Sequence, residues 1–434
     1  MSQTISLPLL TSRGPAPESL GAQIELAQIH NFASKLRQPE ALGTLRAYVE
    51  WQTARRRGEP ATPEFDPALA PDLAPLSINL DLTTACNYAC DHCIDMDILN
   101  TGIKYDHARL LSSLATMARK GLKSVIVIGG GEPTLYPHFD ETIRFMKAQG
   151  LQVAIVSNGA GNRKIADICD CLDENDWVRL SLDSGTDETF QKMHKPKKPI
   201  TLEQICSLVP VIRERNPRLT VGFSYIVTWK GATVNDLDIV ENLHEMAQAA
   251  RLARDHRFSY IGYKPFLSRA EANNAEVIGV DRDRDELDDI IARIRAQFAE
   301  AKAVATPEFR VFETTGMKAF CSRQFDKFGQ QPRQCHMQFL RQVLSPLGTY
   351  NCPVYRNQPH GKLGEKDAYA DLDSFETTRR SVAQRIDTFD ATTTCAEVTC
   401  LYNDANWWIE DLIANPRQLD ALAAETAGAP DYFL

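Results

Sequence analysis

The feature that most constrains the fold is a regular alternation of strand-like runs and helix-length segments after residue 75. Six runs have the composition of β-strands: LSINLDLT, SVIVIGG, QVAIVSNG, VRLSLDS, TVGFSYIVT and FSYIGYKP. Helical periodicity is found between them, at 105–120, 138–149, 162–174, 201–215 and 233–252. Because repeated βα units place their strands in parallel, the pattern predicts an α/β protein with a parallel sheet, either a partial barrel or an open doubly wound sheet.

Polar residues at every second position in two of the strands favour the barrel. They are Asn79, Asp81 and Thr83 in the first run, and Arg179, Ser181 and Asp183 in the fourth. A strand covered by helices on both faces should be almost wholly apolar, so one face of these strands meets something else. The lumen of a partial (β/α)6 TIM-like barrel that holds a polar ligand satisfies this requirement, with Tyr260 and Lys264 as further lumen candidates.

The flanking regions predict two additional domains. Residues 1–75 contain two helical patterns, 24–36 and 41–56, and then a proline-rich connector that cannot continue a helix. After a long helix near 281–304 the pattern becomes irregular and rich in cysteine, with a last amphipathic helix at 406–413. We therefore expect a helical N-terminal extension at 1–75, the barrel at 76–310 and a cysteine-rich domain at 311–434.

Charge and hydropathy exclude several classes of function. A formal net charge of −9 argues against nucleic-acid binding, which requires clustered excess Lys and Arg. The two basic runs, at 54–60 and 194–199, are expected to be solvated loop or helix-end charge. No signal peptide or apolar span is evident, so a cytoplasmic protein without membrane contact is expected. In that reducing compartment, 11 cysteines indicate metal or cluster ligation rather than disulfides.

Three cysteines, Cys86, Cys90 and Cys93, follow the first predicted strand. Thiolates at this spacing can ligate zinc or an iron–sulfur cluster. A structural zinc needs a fourth ligand, and His92 is poorly placed for it because it is wedged between two cysteines. Three thiolates on a four-iron cube leave one iron open, where a small chelating ligand could bind.

The spacing Cys86-x3-Cys90-x2-Cys93 after a first barrel strand resembles the signature of the radical S-adenosylmethionine (SAM) superfamily. The resemblance implies a [4Fe–4S] cluster whose open iron is chelated by SAM. It also implies that one electron cleaves SAM to methionine and a 5′-deoxyadenosyl radical, which removes a hydrogen atom from the substrate.

Further motifs at strand ends strengthen the resemblance. GGGEP at 129–133 is similar to the Gly-Gly-Glu-Pro element of the family, and VSNG at 156–159 and SLDSGTDETF at 181–190 are similar to its third- and fourth-strand motifs. The SAM-binding residues that the resemblance implies are Gly130, Gly131, Glu132, Asn158, Ser181 and Asp183. His92 stands where the family usually has an aromatic residue beside adenine.

A second cysteine group resembles the family's C-terminal Twitch or SPASM extension. The resemblance implies that an auxiliary [4Fe–4S] cluster is held by Cys335, Cys352, Cys395 and Cys400. The alternatives are a zinc on the same four residues or an incomplete site with scattered thiols. Cys321 is a replacement ligand, a hydrogen-atom donor as in family epimerases, or a bystander. Packing roles are expected for Cys169, Cys171 and Cys206.

The leading functional hypothesis is dehydrogenation or epimerisation of a carbohydrate-like natural-product intermediate, with Cys321 and Lys264 as candidate catalytic residues. The family resemblance implies a reductant such as flavodoxin or ferredoxin. A maturase of a ribosomally made peptide is the first alternative, weakened because residues 1–75 show no credible hairpin for leader recognition. A two-cluster electron-transfer protein is the alternative from another class.

Overall fold

Ten strands form one continuous sheet in the computed structural model, which describes residues 26–58, 66–234, 237–270, 275–277, 284–426 and 428–434. The strands are β1 (Ser77–Leu80), β2 (Ser124–Val127), β3 (Gln152–Ser157), β4 (Trp177–Ser181), β5 (Thr220–Val227), β6 (Tyr260–Pro265), β7 (Arg310–Glu313), β8 (Arg341–Ser345), β9 (Gly348–Tyr350) and β10 (Lys362–Gly364). Residues 1–25 and 59–65 of the expected N-terminal extension lie outside the described residues.

The strand order is β7-β6-β5-β4-β3-β2-β1-β8-β9-β10. All pairs from β7 to β8 are parallel, and only β9 and β10 join in antiparallel. A doubly wound sheet reverses its strand order, whereas β1 to β7 follow one another without reversal, as in a barrel. The α/β class and the TIM-like core predicted from the sequence are confirmed.

Sixteen α-helices accompany the sheet in the described part of the chain. They are α1 (Phe32–Leu36), α2 (Pro39–Arg57), α3 (His107–Arg119), α4 (Phe139–Ala148), α5 (Asn162–Ile168), α6 (Asp187–His194), α7 (Leu202–Cys206), α8 (Val209–Arg215), α9 (Met246–Asp255), α10 (Arg284–Lys302), α11 (Thr315–Cys321), α12 (Met337–Leu340), α13 (Leu372–Thr388), α14 (Ala391–Thr394), α15 (Asn403–Ala414) and α16 (Pro416–Ala421).

Most of the predicted helices are present, but the prediction of one helix is largely wrong. The segment 233–252 was expected to be helical, yet Thr233–Val234 pairs in antiparallel with Leu237–Asp238, and α9 begins only at Met246. Gly231 has a φ of +80°, and the β-branched residues that follow it favour extended backbone over helix.

The N-terminal helix α2 has clear end signals in the sequence. Proline occupies its first turn, three arginines fill its last turn, and Gly58 ends it in the left-handed conformation with a φ of +71°. Tyr48, on the buried face of this helix, stacks on Phe339 of α12 with ring centres 4.8 Å apart. The N-terminal helices therefore share a hydrophobic core with the C-terminal region instead of projecting from the barrel.

The basic run at 54–60 contributes to this junction. Arg55 pairs with Asp387 of α13 at 2.5 Å, and Arg56 pairs with Glu410 of α15 at 2.7 Å. Among the helices of the described residues, none is long and apolar enough to cross a membrane.

Candidate active site

The first cysteine group lies in the loop that follows β1. The N–H of Cys86 donates to Asn100 Oδ1 at 3.0 Å, and the N–H of Cys93 donates to the carbonyl of Cys90 at 3.3 Å. Burial raises the pKa of Cys90 well above its usual value, and the neighbouring Cys93 and Cys86 raise it further. Since all 11 cysteines are free thiols, this donor set fits an iron–sulfur cluster with one open iron.

The basic run at 194–199 lies beside this loop: Lys195 and Lys197 are exposed, as expected for loop or helix-end charge, whereas His194 is buried. Lys195, with a φ of +45°, ends α6 and turns the chain back toward the cysteines. Its Nζ lies 2.6 Å from Asp91, and Lys197 Nζ donates to the carbonyl of Cys86 at 2.9 Å. These exposed contacts join the segment after α6 to the cysteine loop.

His194 is a site residue that the sequence analysis missed, because it was grouped with the neighbouring lysines. Its ring is buried, with Nδ1 3.3 Å from Cys90 Sγ and Nε2 2.9 Å from the carbonyl of Leu182. A carbonyl only accepts, so Nε2 carries the hydrogen of the neutral ring. The ligand atoms of Cys90, His92 and His194 all lie within 4.8 Å of one another, which makes a single metal ion the competitor of a cluster here.

The glycine loop after β2 rests directly on the cysteine loop. Gly129 and Gly130 have φ values of +91° and +69°, which side-chain-bearing residues rarely adopt. A Cβ on Gly131 would lie 2.3 Å from the carbonyl oxygen of Ala85, the residue before Cys86. The close approach explains the need for glycine at this position and joins the two loops into one unit.

Glu132 is fully engaged inside this unit. Its Oε1 accepts from the N–H and hydroxyl of Thr134 and from the Ser157 hydroxyl, and its Oε2 accepts from the N–H of Asn158 at 2.8 Å. Burial raises its pKa in opposition to these hydrogen bonds. The carboxylate therefore fixes the end of β3 next to the glycine loop.

The remaining predicted SAM-binding residues surround the same loop. Asn158 Nδ2 donates to Asn87 Oδ1 at 2.8 Å, and Ser181 ends β4, half-buried. Asp183, with a φ of +49°, accepts from the N–H of Ile226 at 2.6 Å. His92 does not face open space: its Nε2 lies 3.4 Å from Asp183 Oδ2.

The environment of Asp183 keeps it ionised. Burial alone would raise its pKa, but the nearby His92, His194 and Lys264 outweigh burial, and the pKa falls below its usual value. A buried carboxylate at the end of β4 is suited to accept hydrogen bonds from a ligand.

A charged triad links the first cysteine loop to the C-terminal region. Arg356 Nε lies 2.8 Å from Asp81 Oδ2, and its Nη1 donates to Asp95 Oδ1. Asp95 Oδ2 in turn accepts from the N–H of Gly130 at 3.1 Å. Asp81, one of the polar lumen residues of the first strand run, therefore pairs with another charge inside the barrel.

The four C-terminal cysteines proposed as auxiliary ligands are brought together. Cys335 precedes α12, Cys352 follows β9, and Cys395 and Cys400 lie between α14 and α15. Burial and the three other thiols raise the pKa of Cys400 well above its usual value. Four thiols around one space, one buried and three partly buried, fit a cluster with complete thiolate ligation.

A cavity of about 360 Å³ separates the two cysteine groups. Ile94, Asp95 and Gly129 line it beside the first group, and all four auxiliary cysteines line its other side. Lumen residues Asn79, Arg179 and Lys264 also border it. A partly open, largely apolar space of this size is suited to a small molecule or the end of a chain.

The two candidate catalytic residues differ in their placement. Lys264 lines the cavity, whereas Cys321 does not appear among its lining residues. Cys321 is buried in the main core, where its sulfur contacts Met317 at 3.8 Å and burial raises its pKa to about 12. The structure thus brings Lys264 to the site and leaves Cys321 outside it.

Comparison with known sequences connects the site to a family. Residues 80–243 match the Radical SAM superfamily. An S-adenosylmethionine-dependent nucleotide dehydratase from Selenomonas ruminantium is 24% identical over 48% of this chain and 73% of its own length. Mycofactocin maturase MftC from Mycobacterium ulcerans is 34% identical, but over only 26% of this chain and 31% of its own length.

A nucleotide dehydratase from a Thermoplasmatales archaeon is 33% identical over 25% of this chain, and the match spans 38% of the archaeal protein. Among solved structures, Streptococcus suis SuiB bound to S-adenosylmethionine has a TM-score of 0.50 at 12% identity, over 81% of this chain and 83% of SuiB. The structural likeness shows a common fold.

Proposed function

Because the chain is a member of the radical SAM superfamily, with a [4Fe–4S] cluster and SAM as its cofactors, we propose that it dehydrogenates a small polar molecule held between two iron–sulfur clusters. The observation that carries the proposal is the cavity, since one space is bordered by the first cluster loop, the glycine loop and all four auxiliary cysteines. When bound, the cofactors supply a 5′-deoxyadenosyl radical on one side of this space and a one-electron acceptor on the other.

Separate groups of residues would ligate the two clusters and bind SAM. Cys86, Cys90 and Cys93 would hold the first cluster, and Cys335, Cys352, Cys395 and Cys400 would hold the second. Gly130 and Gly131 allow close backbone approach to the methionine end of SAM, while Ser181 and Asp183 would accept hydrogen bonds from its ribose. Asn158 and His92 would complete the set of SAM-binding residues.

Dehydrogenation is favoured over epimerisation by the position of Cys321. An epimerase must return a hydrogen atom to the substrate radical, and the free thiol expected to donate it lies outside the cavity. Oxidation needs no such donor, only an electron acceptor near the substrate and a group to take the proton. Lys264 lines the cavity and can serve as the proton acceptor when it is neutral.

A hydroxylated, carbohydrate-like substrate is supported by three amides, those of Asn79, Gln338 and Asn351, in a lining that is otherwise largely apolar. These amides also bond to neighbouring residues, and amides both donate to and accept from hydroxyl groups. An external one-electron reductant such as flavodoxin or ferredoxin would be the partner that starts each cycle.

A peptide substrate is the second candidate, and the similarity to mycofactocin maturase MftC favours it. The cavity would then receive one end or one side chain of the peptide. Against this candidate, the described residues 26–58 and 66–76 contain no strand from which a leader-binding sheet could be built.

The test is anaerobic incubation of reduced, reconstituted protein with SAM and candidate substrates deuterated at carbon. We expect 5′-deoxyadenosine to form, and deuterium to move into it from the true substrate. Iron and zinc analysis of the same sample addresses the competing mononuclear site. Absence of 5′-deoxyadenosine, or one zinc without iron–sulfur absorption, would refute the proposal.

A further inference from the structure

Two imidazoles and a carboxylate converge on the protein surface, at the starts of two neighbouring helices. His107 is the first residue of α3, His138 immediately precedes α4, and Glu141 lies in the first turn of α4. The ligand atoms of these three side chains all lie within 4.8 Å of one another. None of them is among the described lining residues of the cavity, so the proposed function gives them no role.

One carboxylate oxygen lies next to both imidazoles. Glu141 Oε2 is 3.1 Å from His107 Nε2 and 3.1 Å from His138 Nδ1. The two rings are stacked, with centres 4.0 Å apart and planes 11° from parallel. An acid in the first turn of a helix is common because of the helix dipole, but that preference does not explain two imidazoles on one oxygen. Ligand atoms around a tetrahedral zinc with bonds of about 2.0–2.1 Å lie roughly 3.4 Å apart, close to these separations.

The Nε2 atom of His107 gives a second indication of a bound cation. It is buried and forms no hydrogen bond with any described residue, although Glu141 Oε2 is so near. A ring N–H points in one fixed direction, so this oxygen must lie off that direction. A metal ion bound by both atoms lies to one side of the line that joins them. The misalignment therefore suits chelation better than it suits a hydrogen bond.

Tyr136 completes the environment of His107. Its hydroxyl oxygen lies 3.0 Å from His107 Nδ1. A metal-ligating histidine usually donates its other ring N–H to a polar group, which leaves the lone pair of the second nitrogen for the metal. Burial, and then the negative charges of Glu141 and Asp106, raise the pKa of Tyr136 to about 12. The same negative charges favour a cation at this position.

We propose that His107, His138 and Glu141 bind a divalent transition metal ion, with zinc as the ion that their chemistry fits. Two imidazoles and one carboxylate are an established ligand set for zinc, and the exposure of His138 and Glu141 leaves room for water as the fourth ligand. Tyr136 acts as a positioning residue for His107.

The location of the site gives the ion a structural role. α3 begins after the first cysteine loop, and α4 begins after the glycine loop. A metal ion held by His107 on one side and by His138 and Glu141 on the other would join the segments that follow these two loops. It would stabilise the folded state, because the three ligands are not held together in the unfolded chain.

Zinc binding can be measured without turnover on the reconstituted holoenzyme, in which the clusters occupy their cysteines. Loosely bound metal is removed with EDTA, and anaerobic equilibrium dialysis against zinc chloride, followed by metal analysis, gives the stoichiometry. The double variant His107→Ala/His138→Ala measures the zinc bound elsewhere, including zinc on free cysteines. We expect the unaltered protein to bind one zinc per chain more than this variant does.

Isothermal titration of single variants tests each residue. Tyr136→Phe should weaken zinc binding about tenfold to hundredfold, and His107→Ala or His138→Ala at least about hundredfold. His256→Ala is the matched control, because His256 pairs with the single carboxylate of Glu203, and it should leave zinc binding unchanged. Zinc should raise the unfolding midpoint of the unaltered protein and not that of the double variant.

The inference is overturned if the unaltered protein binds no more zinc than His107→Ala/His138→Ala, or if His256→Ala loses as much affinity as His107→Ala. An equal rise of both unfolding midpoints would overturn the structural role, and unchanged zinc affinity in Tyr136→Phe would overturn the positioning role. Circular dichroism and iron content verify that each variant is folded and contains its clusters. SAM cleavage takes no part in these measurements, so their outcome is independent of the proposed function.

Discussion

Replacement of Arg356 by methionine is expected to destabilise the protein, because it leaves the carboxylates of Asp81 and Asp95 without their counter-charge. Arg356 and Asp81 have side chains that are only 6% and 0% exposed, with Nε and Oδ2 2.8 Å apart. For charge centres about 4 Å apart at an effective dielectric constant of 20, the attraction is about 4 kcal/mol. Removing one partner of such a pair typically costs about 3–5 kcal/mol.

The loss of folding stability should depend on pH, because Asp81 becomes neutral when it takes up a proton. Burial raises the pKa of Asp81 to about 7, even though Arg356 opposes the rise. A folded-state pKa above the unfolded value means that stability falls as pH rises toward the folded pKa. Without Arg356 that pKa is higher still, so the penalty should grow above pH 7 by about 1.4 kcal/mol per pH unit until the new pKa is reached.

Anaerobic urea denaturation at pH 6.5 and pH 8.5 measures this effect. With a slope of about 3 kcal/mol per molar urea, Arg356→Met should lower the midpoint by roughly 1 M, more at the higher pH. The double variant Asp81→Asn/Arg356→Met should regain at least half of the lost stability, because the buried charges of both Asp81 and Arg356 are then absent. Arg380→Met, which breaks an exposed ion pair with Glu376, is the matched control and should cost about 0–1 kcal/mol. Equal midpoints for Arg356→Met and Arg380→Met, or additive losses in the double variant, would contradict the reasoning.

Three further substitutions test individual parts of the site. Cys400→Ala should lose about four irons and product formation while it still cleaves SAM, whereas Cys86→Ala should abolish cleavage; unaltered iron content in Cys400→Ala would refute the auxiliary site. Cys321→Ala should keep its product yield and lose only about 1–2 kcal/mol of stability, so loss of product with retained fold would restore its role as hydrogen donor. Gly131→Ala should weaken SAM binding because its Cβ would lie 2.3 Å from the Ala85 carbonyl, while Gly43→Ala, with open space around it, should bind SAM normally.

The alternating pattern was sufficient to predict the barrel because strand period, helix length and polar alternation all agree over residues 76–310. The failure at 233–245 has a local cause. A short stretch with apolar residues at helical spacing is ambiguous, and Gly231 with the β-branched Thr233 and Val234 that follow favours a short antiparallel strand pair. The docking of α2 on α12 could not be predicted, since an amphipathic pattern shows that a face is buried but not against which partner.

Within the site, the residues that sequence motifs identify are those whose chemistry depends on spacing along the chain. Cys86, Cys90 and Cys93 belong to this class, and so does the glycine loop. Arg356 and His194 act through contacts between segments more than 100 residues apart, and no local pattern marks them. A buried counter-charge is visible only when the fold places it, so these residues required the structure.

The relation between the two cysteine groups follows from strand pairing. β1 leads into the first cysteine loop, and β8 leads through β9 to Cys352; their parallel pairing begins at Ser77 and Arg341. The end of β8 lies beside the start of the first cysteine loop, but β9 runs back antiparallel to β8, so Cys352 lies toward the beginning of β8, the side from which Cys335 enters. The Arg356 triad connects this region to Asp81 and Asp95 beside the first loop. The separation of the two clusters is therefore set by backbone hydrogen bonds and a buried ion network instead of a flexible linker. A fixed separation is what a cavity needs if one bound molecule is to face a radical on one side and an electron acceptor on the other.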